Sequence, residues 1–103
     1  MKPFILTPLA EQDVSEIWDY IADDSIEAAD KVLDALERAM LRVSESPGIG
    51  HWREELVDRR HKFLLVYSYL IVYRHETQPL QVIRVLNAAR DVQAILKLGA
   101  MEG

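Results

Sequence analysis

Cysteine is missing from all 103 residues. No disulfide framework, thiolate metal site or thiol nucleophile is therefore available, which fits a reducing compartment. Long apolar runs are missing too: nothing approaches the ~20 residues of a membrane span, and the apolar stretch within Met1 to Pro8 is too short for a signal peptide. We expect a soluble, cytoplasmic protein without a membrane partner. No repeat, low-complexity stretch or interdomain linker interrupts the chain. A chain this long buries roughly two thirds of its unfolded surface, enough for one core without staples. Residues 1–103 are thus expected to form one domain, with 96–103, which contain Gly99 and Gly103, as a fraying tail.

Basic residues are scarce in the first part of the chain. Residues 1–46 hold eleven acids against four bases and residues 47–103 six against eight, a formal −7 and +2 within a net charge of −5. An acidic whole argues against tight, sequence-blind nucleic-acid binding, which depends on clustered cations displacing counterions. A local basic face in the second half stays open.

Phe4-Ile5-Leu6 reads as a short strand that ends at Thr7-Pro8, a helix cap followed by proline at the first helical position. Val14, Ile17, Trp18, Ile21 and Ala22 then recur at helical spacing, with acids on the other faces. Asp24-Ser25 breaks and recaps the chain. Ala29, Val32, Leu33, Leu36, Met40 and Val43 continue the period until Ser46-Pro47-Gly48 stops it. Residues 61–67, 69–75 and 80–87 are rich in β-branched and aromatic residues and make three strands with short connections, hence antiparallel neighbours. Apolar residues on both faces of 69–73 mark a central strand. Residues 90–98 could add a last helical turn or two. The expected fold is α+β, β-α-α-β-β-β with a possible final helix, a helical hairpin packed on a small antiparallel sheet.

Few residues suggest chemistry. His51, His61 and His75 lack any metal-ligand spacing and read as isolated surface histidines. Gly48-Ile49-Gly50 follows a helix and lacks the ending of a phosphate loop, so it reads as a helix stop. Asp13, Glu16 and Asp19 have the spacing of any solvated helix face. Trp18 belongs to the core stripe; Tyr20, which could stack a base, is left undecided. Arg59, Arg60, His61 and Lys62, with Arg53 nearby, could grip phosphate or acidic side chains, or could equally protect an edge strand from stray pairing. Arg84 interrupts an apolar strand; alternation puts it on the face of Val82 and Leu86, where it must reach water or find an acid.

The order of elements, with Tyr69-Leu70-Ile71-Val72-Tyr73-Arg74, then Val82-Ile83-Arg84-Val85-Leu86 and Arg90-Asp91, resembles the ParE branch of the RelE/ParE toxin superfamily. The first helix from Ala10 to Ala22 and the turn Ser46 to Gly50 are also similar to that family, so the likeness spans nearly the whole chain. The resemblance implies a toxin of a type II toxin-antitoxin system that inhibits growth and stabilises plasmids. It also implies a small ParD-like antitoxin wrapping the toxin in a hetero-oligomer, and DNA gyrase as a target that is bound, not cut. The RelE branch instead cleaves messenger RNA on the ribosome, and Arg59, Arg60, Lys62 and Arg84 keep that alternative open. Many relatives carry histidine at the end of the last strand. Asn87 stands there in this chain and cannot exchange a proton near neutral pH, which argues for binding over catalysis. The expected binding residues are Arg59, Arg60, Lys62, Arg84, Asn87 and Arg90, with no catalytic residue, metal or cofactor.

Overall fold

The computed structural model describes residues 3–50 and 61–89. Strand β1 (Phe4–Leu6) leads into helix α1 (Pro8–Ala22) and helix α2 (Ile26–Glu45), followed by a 3-10 turn at Pro47–Ile49. Strands β2 (His61–Val66), β3 (Tyr69–Arg74) and β4 (Leu80–Asn87) complete the order. The fold is α+β, as the sequence pattern predicts. The expected helix within residues 90–98 and the tail lie outside the described residues, and none of the described helices is long and apolar enough to cross a membrane.

Both helix starts are written locally. Thr7 sits in extended backbone and its Oγ1 accepts a hydrogen bond from the Ala10 N–H at 3.2 Å, with Pro8 in the first turn. Ser25 does the same for α2, accepting from the Ala28 N–H at 3.1 Å. Within the stripes Ile17, Ala29, Leu36, Met40 and Val43 are buried, together with Ala10 and Ala39. Each fully buried Leu, Ile or Met contributes roughly 2 kcal/mol of apolar transfer, which docks the hairpin on the sheet. Trp18 is half-buried rather than enclosed, because its indole Nε1 donates to Asp30 Oδ1 at 3.0 Å and ties α1 to α2.

The sheet order is β1-β4-β3-β2. β2, β3 and β4 pair antiparallel as expected, and β3 is an inner strand. The sheet is nevertheless mixed, since β1 joins the outer edge of β4 in parallel, Phe4 opposite Leu80 and Leu6 opposite Val82. The helical hairpin explains the direction. Pro3, the end of α2 at Glu45 and the β3–β4 turn at 75–80 line one hollow, so the chain returns to the end where β1 began. His61 pairs with Arg74 at that same end. β2 thus sets out in the direction of β1, and two reversals later so does β4. The tight β2–β3 turn needs left-handed backbone, which Tyr67 supplies with φ 54°.

Apolar residues fill both faces of the sheet. Ile71, Tyr73, Leu80, Val82 and Val85 join the helices in one cluster, while Phe63, Leu70, Val72 and Leu86 form a second. Val82 and Leu86 fall in different clusters, so the simple alternation expected for Arg84 fails. A register shift causes this. Val72 pairs with Arg84 but Tyr73 with Val82, so Ile83 is an extra residue in β4 and the strand bulges.

Candidate functional site

β1 stops at Leu6, and beyond it the outer edge of β4 needs other partners for its backbone. The start of α1 supplies them. The Thr7 N–H donates to the Val82 carbonyl at 3.0 Å, and the Thr7 hydroxyl donates to the carbonyl of the bulged Ile83 at 2.8 Å. One turn and a half later Asp13 Oδ2 accepts from the Val85 N–H at 3.0 Å. The same carboxylate holds Arg84 by a two-pronged ion pair, Nε to Oδ2 at 2.7 Å and Nη2 to Oδ1 at 3.0 Å. Arg84 has therefore found an acid. The Asp13 side chain retains 11% of its exposure and Arg84 25%, so the pair is largely desolvated and geometrically near the best a guanidinium can make.

Asp13 corrects the reading of the α1 acids as one solvated face. Glu16 and Asp19 are exposed, Glu16 accepting from Gln12 Nε2 at 3.0 Å. Asp13 faces inward, and a signal was there: Ala10, Asp13, Val14 and Ile17 are spaced i, i+3, i+4, i+7.

Of the remaining expected residues the structure describes Lys62 and Asn87, and they lie apart. Lys62 Nζ donates to the Gly48 carbonyl at 3.3 Å, so β2 grips the turn after α2. Asn87 Oδ1 accepts from the Ala89 N–H at 3.0 Å and closes a local turn as β4 ends. β3 lies between Lys62 and Arg84, which puts them about 10 Å apart across the sheet. The fold does not join them into one phosphate cradle. Arg53, Arg59, Arg60, Arg90 and Asp91 lie outside the described residues, as does His51. His61 is not a surface histidine: it is 5% exposed, at the start of β2 opposite Arg74. Tyr20 is exposed. Among the described residues no three His, Cys, Asp or Glu side chains come together to hold a metal.

Gly48-Ile49-Gly50 is the helix stop that its sequence implies, and it is pinned by Tyr73. The Tyr73 hydroxyl donates to the Pro47 carbonyl at 2.8 Å and accepts from the Gly50 N–H at 3.0 Å. Burial pushes this phenol above its ordinary 10.0, partly offset by the Gly50 hydrogen bond. A Cβ at position 50 would collide with the Tyr73 hydroxyl, which is why glycine is required there.

Between α2 and the β2–β3 turn runs an open groove of about 420 Å³. Lys31, Arg38 and Arg42 form its basic wall, and Leu65, Val66 and Tyr67 its apolar one. Leu65 and Tyr67 are 59% and 66% exposed, unusual for residues of their size. Asp34, 3.0 Å from Arg38, partly neutralises the basic wall.

The sequence pattern of the ParE toxin of type II toxin-antitoxin system, parDE, matches residues 4–92, from the first residue of β1 to beyond β4. The chain belongs to the ParE toxin family. Toxin ParE1 of Mycobacterium tuberculosis (strain CDC 1551 / Oshkosh) is 31% identical over 91 residues, covering 86% of this chain and 92% of that one. A solved chain from the chromosomal ParDE TA system of P. aeruginosa has the same fold, with TM-score 0.67 at 18% identity over 82% of this chain and 92% of that one. In this ParE toxin what sequence reasoning missed are the long-range contacts of Thr7, Asp13 and Tyr73. Beyond the local cap that Thr7 makes, each reaches residues more than twenty positions away, which no local motif announces.

Proposed function

We propose that this type II toxin acts by binding DNA gyrase in the cytoplasm, without turnover, and that a ParD-like antitoxin neutralises it. The observation that carries the reading is the state of Arg84. A ribonuclease would need that guanidinium for a scissile phosphate, together with a group that exchanges a proton near neutral pH. Asp13 already satisfies it with two hydrogen bonds. Asn87, whose side chain closes a turn, has no titratable proton at these pH values. A binding toxin has no need of either.

The α2–β2 groove supports a wrapped antitoxin. Its basic and apolar walls suit an amphipathic segment with acidic residues and apolar anchors. Such an association weakens as salt rises.

The deciding experiment is a supercoiling assay. Purified chain at micromolar excess should block gyrase supercoiling and promote gyrase-linked DNA cleavage, and equimolar antitoxin should restore activity. Unchanged gyrase, with codon-dependent cleavage of messenger RNA in a translation extract, would replace this reading with ribosome-dependent RNA cleavage.

A further inference from the structure

Arg74 ends β3, and the turn that follows holds its backbone. Thr77 Oγ1 donates to the Arg74 carbonyl at 3.2 Å and accepts from the Gln81 N–H at 2.9 Å. Alternation along β3 places Arg74 on the face of Leu70 and Val72, whose cluster is separate from the one under the helices. Directly across the strands stand His61 on β2 and Gln81 on β4. Residues paired in this way share a face, so the three form one row across the sheet at about 5 Å intervals.

The row is made of donors. Arginine brings five N–H groups and the glutamine amide two, and none of the three residues is an acid. His61 is buried, and Arg74 Nε is closed to solvent yet meets no hydrogen-bond acceptor among the described residues. A guanidinium N–H removed from water without an acceptor carries an uncompensated cost, which an oxyanion in the row removes. The turn held by Thr77 keeps the row in place before anything binds, which lowers the ordering cost of binding.

We propose that Arg74 and Gln81, beside the buried His61, form an oxyanion seat that takes one carboxylate or phosphate group. The seat is independent of the gyrase reading, because it is a property of the purified chain alone. Its ligand is supplied either by an acidic side chain of a bound protein or by free phosphate.

The test uses the full chain labelled with nitrogen-15. Inorganic phosphate and acetate are titrated separately at constant ionic strength while the Nε–Hε signal of Arg74 and the side-chain amide of Gln81 are followed. Both signals should move together and saturate, while the Arg38 signal, already paired with Asp34, stays in place. A tighter response to acetate assigns the seat to a protein carboxylate, and a tighter response to phosphate assigns it to phosphate. In Arg74→Gln the Gln81 response should vanish. Should that variant fail to fold, Arg74→Lys keeps the charge without the fork and should weaken binding at least about fivefold. Shifts that grow linearly without saturating, or that appear equally at Arg38, mean an adventitious ion only and overturn the proposal. So does a Gln81 response that persists unchanged in either variant.

Discussion

Arg84 and Arg74 occupy the two inner strands of the same sheet, in opposite circumstances. Arg84 meets both oxygens of Asp13 at 2.7 and 3.0 Å, and the same acid takes the Val85 N–H. Arg74 has a buried Nε with no acceptor among the described residues. The first cation belongs to the fold, because helix α1 delivers a carboxylate to the bulge in β4. The second pairs across the strands with His61 and Gln81, neither of them an acid. An arginine inside an apolar strand is thus not by itself a ligand contact; the surroundings decide which one is spent on structure.

Removing Asp13 tests the compensated end most severely. Asp13→Ala leaves Arg84 unpaired and largely desolvated and the Val85 N–H without its acceptor, so stability should fall by about 3 kcal/mol. Urea unfolding reads this as a lower midpoint with an unchanged slope. A loss near zero would mean that the pair is merely superficial and that the contrast with Arg74 is empty.

The next effect lies at the turn that Tyr73 pins. Gly50→Ala should cost about 2 kcal/mol through overlap with the Tyr73 side chain, and only part of that cost should disappear in a Tyr73→Phe background, where the hydroxyl is gone but the ring carbons at 2.9 and 3.0 Å remain. The phenol also predicts a pH dependence. Its folded-state value lies above the ordinary 10.0, so the neutral form is favoured by folding. The corresponding stability is complete below pH 10 and is lost as pH rises through the raised folded value. The stability difference between the wild type and Tyr73→Phe should therefore shrink above pH 10, measured by denaturant titration across the alkaline range.

Thr7→Ala removes a helix cap and the hydroxyl donated to Ile83 in one step, with an expected loss of about 1.5 kcal/mol by the same measurement. The smallest effect should come from Arg74→Gln. In buffer free of phosphate and carboxylate it should change stability by no more than about 0.5 kcal/mol, because no acceptor is lost. A loss as large as that of Asp13→Ala would show that Arg74 is structural after all.

Much of the fold is legible in the sequence because its signals are local. Thr7-Pro8 and Ser25 start the helices, Ser46-Pro47-Gly48 ends the second, and the strand residues from His61 to Asn87 pair in chain order. The bulge at Ile83 is not legible, and it is what defeats the inference that Val82, Arg84 and Leu86 share a face. Period-two alternation holds only while the register holds. The surroundings of the charged residues were less legible than the fold. Arg84 stood out as a cation among apolar residues, whereas Asp13 looked like one acid among several and nothing singled out Arg74 by itself.

By itself, then, the sequence determined what depends on neighbours a few positions away: the caps, the helical stripes, the hairpin strands and the likeness to ParE toxins. Tertiary structure alone decided the parallel docking of β1 beside β4, the pairing of Asp13 with Arg84 across 71 positions, and the burial of His61 beside Arg74. The physical reason is the reach of each interaction. A cap or a stripe is satisfied within one or two turns of chain, but a charge in a sheet is satisfied only by what folding brings beside it.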